Sequence, residues 1–186
     1  MFVLIGIKKV LFLLFALAFW LAPEISFAAA PAVSRVAVIP FFNQSSDKSI
    51  IIAKEELKNL GDLANDELAD DGTFDPMDRA FIKETLESIK FETTSGIFDM
   101  STVASLGKKL GAEYLLVGTI TGLTRDRGNL IAHISVRMIH VETSRIALTG
   151  RGDAVTTKNV SETLRDATID AMTGKRGMIT RMHKKR

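Results

Sequence analysis

The sequence predicts an α/β layered sandwich in which helices flank a mixed sheet. Three observations predict this fold class: a nearly continuous apolar strand opens the folded part, amphipathic helical segments follow it, and three strands succeed one another near the C-terminus. A strand that is apolar on both sides needs cover on both faces, whereas strands joined by short turns form an antiparallel meander. We expect one sheet to contain both kinds of strand.

The first two elements are a buried strand and a long amphipathic helix. Residues 34–42 read Ser-Arg-Val-Ala-Val-Ile-Pro-Phe-Phe, and turn-forming residues 43–47 end the run. In residues 51–71, apolar side chains recur at intervals of three to five residues, as in a helix with one buried face. Gly61 lies inside that helix and permits a kink there, and Gly72 ends the helix.

An edge strand and a second helix are expected next. Residues 73–78 are compatible with a brief strand. Because Pro76 cannot donate a ladder hydrogen bond, such a strand belongs at a sheet edge or at a bulge. Asp78 is the expected N-cap of a helix over residues 79–89.

A third helix is expected to follow a cap at Asp99 or Ser101 and to run to Leu110, with Gly111 in a left-handed C-terminal cap. A buried strand then covers residues 113–123. We place five apolar residues of this helix and strand in the core between them: Leu106, Leu110, Leu115, Val117 and Ile120. Leu116 should be buried as well if the sheet is covered on both faces.

Two further strands and a helix complete the fold prediction. Residues 126–129 supply a turn, and residues 130–138 alternate apolar and polar side chains, which is typical of a strand with one face on the core. Residues 145–154 are the last strand of a three-stranded antiparallel meander. Residues 160–171 form the closing helix.

The N-terminus has the three parts of a secretory signal peptide, which we assign to residues 1–28. Lys8 and Lys9 precede an apolar run over residues 10–21, and small residues surround Ala28. The alternative is an uncleaved anchor, but a helix of twelve residues rises only about 18 Å, against a hydrocarbon core of about 30 Å. We expect cleavage after Ala28 or Ala30.

Composition excludes several classes of function. The chain of 186 residues is 46% hydrophobic and 25% charged, as in a globular domain, and its formal charge is +2. Removal of residues 1–28 takes away two lysines and one glutamate and leaves about +1, which gives no reason to expect nucleic acid. Cysteine is absent, which excludes disulfides, thiolate chemistry and a lipid-modified cysteine. We therefore expect a periplasmic protein that is not a lipoprotein.

Histidine is the first residue type to examine for metal binding or catalysis. His133 and His140 are seven residues apart in one predicted strand, so they point to opposite faces and cannot share an ion. His183 lies in the C-terminal segment. Surface or packing roles are the favoured interpretation of all three residues, and we predict no metal site.

Other candidate motifs are weak. An acidic cluster lacks the spacing of a calcium loop and is interpreted as a solvated helix end: Asp66, Glu67, Asp70, Asp71 and Asp75. Gly174-Lys175 lacks the other residues of a phosphate-binding loop, and no Gly-x-Ser-x-Gly motif occurs. Arg151-Gly152-Asp153 spells an integrin-binding tripeptide, which we attribute to chance. The prediction is that no residue is catalytic and that none binds a cofactor.

The C-terminal segment, residues 175–186, is strongly basic. It holds six cations and no acid: Lys175, Arg176, Arg181, Lys184, Lys185 and Arg186. A frayed, solubilising tail is the favoured interpretation, and peripheral contact with anionic lipid or glycan is the alternative.

Three stretches resemble the CsgG family, which is named for a curli assembly and transport protein. They are residues 35–41 with Asn43, residues 68–79, and the run from residue 96 to residue 120, which includes Ala-Ser-Leu-Gly-Lys-Lys-Leu-Gly-Ala-Glu-Tyr-Leu-Leu-Val-Gly-Thr-Ile. With the hairpin around Glu142, the resemblance covers residues 35–153. It implies a domain over residues 31–174 that is similar to the anticodon-binding fold and is used by envelope proteins for protein contacts.

The function expected from these observations is a non-enzymatic periplasmic interaction module, accessory to cell-envelope assembly or protein secretion. Its partner is expected to be an envelope protein or a second copy of the chain, with no transmembrane segment in the mature protein. Two alternatives stay open: a subunit of a ring-shaped outer-membrane secretion complex, and a periplasmic enzyme. An exposed patch without converging polar groups favours the module, whereas an enzyme requires a pocket with perturbed titratable residues.

Overall fold

The computed structural model describes residues 33–47, 49–89 and 100–184; the proposed signal peptide and the expected cap Asp99 lie outside this range. Within it are six strands: β1 Ser34–Val38, β2 Phe42–Asn43, β3 Phe74–Pro76, β4 Tyr114–Asp126, β5 Asn129–His140 and β6 Arg145–Thr156. The helices in the same residues are α1 Lys54–Asp71, α2 Arg79–Ser88, α3 Met100–Leu110, α4 Val160–Thr173 and α5 Met178–Lys184.

The strands form one mixed sheet in the order β3-β1-β4-β5-β6, and β2 pairs with β4 beyond the end of β1. β1 runs parallel to β3 and to β4, while β4, β5 and β6 form an antiparallel meander. β3 lies at the sheet edge, as Pro76 requires. The predicted fold class, a mixed sheet flanked by helices, is confirmed.

The first strand is divided, where the sequence predicted a single one. Ile39 donates its backbone N–H to the Leu116 carbonyl, but Phe41 donates its N–H to the Leu57 carbonyl of α1, at 3.0 Å. Pro40 between them has no N–H to donate. The chain therefore leaves the ladder at Pro40 and rejoins β4 as β2.

The helix ends follow the predicted chemistry. Asp78 accepts a hydrogen bond from the Phe81 backbone N–H, at 2.9 Å, and so caps α2. Gly72 and Gly111 have φ values of 69° and 68°, in the left-handed region that ends a helix. α1 is continuous through Gly61, whose missing Cβ lets the helix approach the Ile39 carbonyl closely.

Each face of the sheet has a hydrophobic core. The first core lies under α1, α4 and α5 and includes Val36, Leu60, Leu116, Ile134 and Leu164. The second lies under α2 and α3 and includes Ala37, Ile82, Leu106, Leu110, Leu115 and Val117. All six predicted core residues are buried. Ile120, however, belongs to the first core and not to the second. Residues four apart in a strand point to the same face, so Ile120 lies on the same face of β4 as Leu116.

Residues 178–184 of the C-terminal segment form the helix α5, which packs on the core, so the expectation of a frayed tail is wrong for these residues. Met178, Ile179 and Met182 lie on one side of α5 and are buried in the first core. The four-residue spacing of the two methionines fits one face of a helix. The density of cations concealed this pattern in the sequence. His183 Nε2 also contacts Asp71 Oδ1 of α1, at 2.6 Å.

Two glycines in β6 let α4 pack directly on the sheet. A Cβ on Gly150 would lie 2.1 Å from the Ala171 carbonyl oxygen, and a Cβ on Gly152 would lie 2.1 Å from the Ala167 carbonyl oxygen. Both contacts are with helix backbone, which cannot rotate away as a side chain can. The tripeptide Arg151-Gly152-Asp153 is therefore explained by packing: its glycine faces α4.

Candidate interaction surface

One half of the sheet has a face that no described element covers. α2 and α3 pack over the start of β4, where Leu115 and Val117 are buried, but residues farther along the same face are exposed or half-buried. We call this surface the open face and define it by ten residues: Thr119, Thr124, Ile131, His133, Ser135, Arg137, Thr149, Arg151, Asp153 and Val155.

Cross-strand register fixes the order of side chains on the open face. His133 lies directly opposite Asp153, Ser135 opposite Arg151, and Arg137 opposite Thr149. Ile131 lies opposite Val155, which is 64% exposed, so this pair forms an apolar end to the surface. Because side chains directly opposite each other stand about 5 Å apart, the open face is a continuous surface with arginines at its centre.

An ion cluster lies at the edge of the open face. His133 Nδ1 donates to Asp153 Oδ1 at 2.6 Å, and the Arg176 guanidinium pairs with the other carboxylate oxygen. The His133 hydrogen bond holds the pKa of the Asp153 carboxyl below its ordinary value of 3.8, assisted by Arg176 and opposed by partial burial. Asp170 accepts the Asp153 backbone N–H at 3.0 Å. The single acid of the open face is thus already neutralised.

Arg137 and Arg151 are the groups on this surface that are available to a partner. Both are exposed, and neither forms an ion pair with a described residue. Their cross-strand neighbours Thr149 and Ser135 are hydroxyl residues, which donate or accept hydrogen bonds. A guanidinium binds a carboxylate through two parallel hydrogen bonds. The open face is therefore suited to a surface that carries carboxylates.

A second concave region lies between α1 and α2, with a volume of about 540 Å³. At its base Arg79 pairs with Asp62 and also donates to the Val38 carbonyl oxygen. Lys58 lies 3.7 Å from the same aspartate. These charges satisfy one another and join α1, α2 and the end of β1. Arg79, Asp62 and Lys58 therefore form a structural ion network in the lining of this groove.

The histidines do not converge. His133 is in the ion cluster, His183 contacts Asp71, and His140 Nδ1 accepts the Thr143 backbone N–H at 3.2 Å. In the part of the chain that the structure describes, no group of three or more His, Cys, Asp or Glu residues could hold a metal ion. The predictions of no metal, no cofactor and no catalytic residue stay predictions. Over the same residues, no helix is long and apolar enough to cross a membrane.

Comparison with known proteins identifies the family. The model of the peptidoglycan-synthase activator LpoB matches residues 29–153, more than half of the chain. The NMR structure of E. coli LpoB is similar, with a TM-score of 0.51 and 15% identity over 70% of this chain and 61% of that chain. The LpoB C-terminal domain from Salmonella enterica has a TM-score of 0.46 and 17% identity, over 68% of this chain and 85% of that chain. No curated protein gives a significant match.

The resemblance to the CsgG family is therefore wrong, and with it the assignment to curli assembly. The residues that carried it are packing residues: Gly107 makes room for Val141, Gly118 makes room for Phe41, and Gly111 caps α3. Such residues indicate how a helix packs on a strand, and they do not distinguish between families that share this packing. The expectation of a non-enzymatic interaction module of the cell envelope is confirmed, because the matched family is one of activators. This chain belongs to the peptidoglycan-synthase activator LpoB family.

Proposed function

We propose that this protein is a periplasmic activator that binds a peptidoglycan synthase through the open face. The observation that carries the proposal is the uncovered half-sheet itself. A sheet face that is exposed, continuous and lined by two available arginines is present in a chain whose family is defined by activation of a synthase. Rigid strands hold these side chains in fixed positions, which favours specific recognition.

The partner surface should be acidic. Arg137 and Arg151 are exposed, and Asp153 is occupied by His133 and Arg176, so no free carboxylate on the open face opposes an incoming acid. Val155 and Ile131 add apolar area beside the charged centre. An interface usually combines an apolar anchor with charged groups that steer association.

The experiment measures binding of the purified protein to a purified peptidoglycan synthase from the same cells. The double variant Arg137→Glu/Arg151→Glu should weaken binding by roughly 100-fold or more, because it places two acids where two cations stood. Lys109→Glu, which reverses one charge at an exposed position in α3, is the control and should bind as the wild type does. The two variants should unfold at temperatures close to that of the wild type.

Equal binding by the wild type and the double variant would contradict the use of the open face. Failure of the wild type to bind any peptidoglycan synthase would instead contradict the proposed activity. Retained binding by Arg137→Lys/Arg151→Lys at reduced affinity would agree with the proposal, since lysine keeps the charge but loses the two-point hydrogen bonding.

The proposal also places the protein in the periplasm, after removal of residues 1–28. Lys8, Lys9 and the short apolar run support export. N-terminal sequencing of protein from the cell envelope should begin at Ala29 or Pro31. Retention of Met1 would contradict cleavage.

A further inference from the structure

The free edge of the sheet is unequally protected along β6. β6 is the terminal strand and pairs only with β5 among the described strands. Its second half is covered, because the Arg151 N–H donates to the Arg176 carbonyl and the Asp153 N–H donates to Asp170. Its first half, residues 145–149, receives no backbone hydrogen bond from any described element other than β5. An uncovered edge strand is a template for another strand.

Alternation shows which groups of this edge are available. The N–H groups of Arg151 and Asp153 point away from β5, as their bonds to Arg176 and Asp170 require. In an antiparallel ladder, every second residue points its N–H and C=O in the same direction, so those of Thr149 face outward as well. Before Thr149 the ladder is interrupted by a register shift, and Ile146 stands 46% exposed.

A groove of about 390 Å³ runs along this half-strand. It is lined by Ile146, Ala147, Leu148, Thr149, Arg181 and Lys184. The last two belong to α5, whose apolar side is fixed in the core, so they form a cationic wall beside the free backbone edge. The lining contains no acid. A ligand in this groove meets backbone donors and acceptors on one side and positive charge on the other.

We propose that this groove binds an extended acidic segment of a partner protein, which adds a strand to the free edge of β6. In an added strand, alternate side chains point to opposite faces, so acidic residues can face Arg181 and Lys184 while β-branched residues lie beside Ile146. A second copy of the chain is disfavoured as occupant, because edge-to-edge pairing would bring the cations of two grooves together. This site adjoins the open face at Thr149, but the proposal does not depend on the proposed function.

The probe is a fluorescein-labelled peptide of alternating glutamate and valine, seven residues long. The purified protein should bind it with an affinity that falls as salt is raised, and should not bind the matching lysine and valine peptide. Arg181→Glu/Lys184→Glu should reduce affinity by roughly tenfold or more, whereas Lys109→Glu should not. Amide exchange at Thr149 should slow when the peptide is bound.

Methylation of peptide nitrogens separates strand addition from charge attraction. The N–H groups of the valines point to one edge of the peptide, and those of the glutamates point to the other. We therefore compare a peptide that is N-methylated at its valines with one that is N-methylated at its glutamates. One of the two should lose binding while the other keeps it. Equal binding of both, absence of binding by the unmodified peptide, or dimers of the protein that are abolished by Arg181→Glu/Lys184→Glu would each overturn the proposal.

Discussion

Gly152→Ala tests the direct packing of α4 on β6. A Cβ at this position would lie 2.1 Å from the Ala167 carbonyl oxygen and 2.2 Å from the Ala171 nitrogen. Real Cβ atoms do not approach other atoms closer than 3.0 Å. Because both atoms belong to helix backbone, relief of the overlap requires α4 to move by about 1 Å, in a core that is already closely packed.

The cost of this movement follows from overpacking, which destabilises proteins by about 1–3 kcal/mol. Replacement of a glycine in a strand by alanine by itself raises the free energy of unfolding by about 0.5–1 kcal/mol. We expect a net loss of about 2 kcal/mol, which lowers the Tm of a domain of this size by about 4–8 °C. The assay is thermal and denaturant unfolding followed by circular dichroism.

Gly72→Ala is the matched control. Gly72 has φ 69° and no atom within 4 Å of an added Cβ, so alanine there introduces backbone strain of about 1 kcal/mol without any overlap. Gly152→Ala should therefore be the more destabilising of the two substitutions. A Gly152→Ala protein as stable as the wild type, or more stable than Gly72→Ala, would refute the packing argument.

Three further predictions concern stability. Leu110→Ala should cost about 2–5 kcal/mol in denaturant unfolding, because Leu110 is 2% exposed in the second core; a change near zero would contradict its placement. Arg79→Ala should cost about 1–3 kcal/mol, because it leaves Asp62 and the Val38 carbonyl without their donor, whereas Lys83→Ala at the exposed side of α2 should cost less than about 0.5 kcal/mol. Asp71→Asn should destabilise the protein at pH 7. Burial raises the pKa of Asp71, but hydrogen bonds from His183 and Thr73 outweigh it and set the pKa below 3.8. The ionised Asp71 carboxylate stabilises the folded protein at pH values above 3.8, and this stabilisation is lost as pH falls through the lowered pKa. The Tm curves of variant and wild type should therefore converge at acidic pH below that value.

The sequence predicted the elements of this fold well because their patterns are local. The helical period in α1, the cap at Asp78 and the alternation in β5 are each set by neighbouring residues. The division at Pro40 was missed because it depends on Phe41 finding a hydrogen-bond acceptor in α1, which is a tertiary contact. The packing of α5 on the sheet was missed for a similar reason, because only the fold shows that Met178 and Met182 meet a core.

Only part of the open face could be predicted from the sequence. The polar positions of β5, His133, Ser135 and Arg137, signalled a solvated face in their alternation with apolar residues. Nothing local shows that β6 adds Arg151 beside them, or that Arg176 neutralises Asp153 from the loop before α5. The family was misassigned for a related physical reason, since the motifs in residues 96–120 contain packing glycines rather than binding groups.

The most direct test of the central claim is the rate of glycan-strand synthesis by a purified peptidoglycan synthase from the same cells, measured with and without this protein. We expect the wild type and Lys109→Glu to raise the rate to the same extent, and we expect Arg137→Glu/Arg151→Glu, although folded, not to raise it. Equal stimulation by the double variant would contradict recognition through the open face, and absence of stimulation by the wild type would contradict the proposed function.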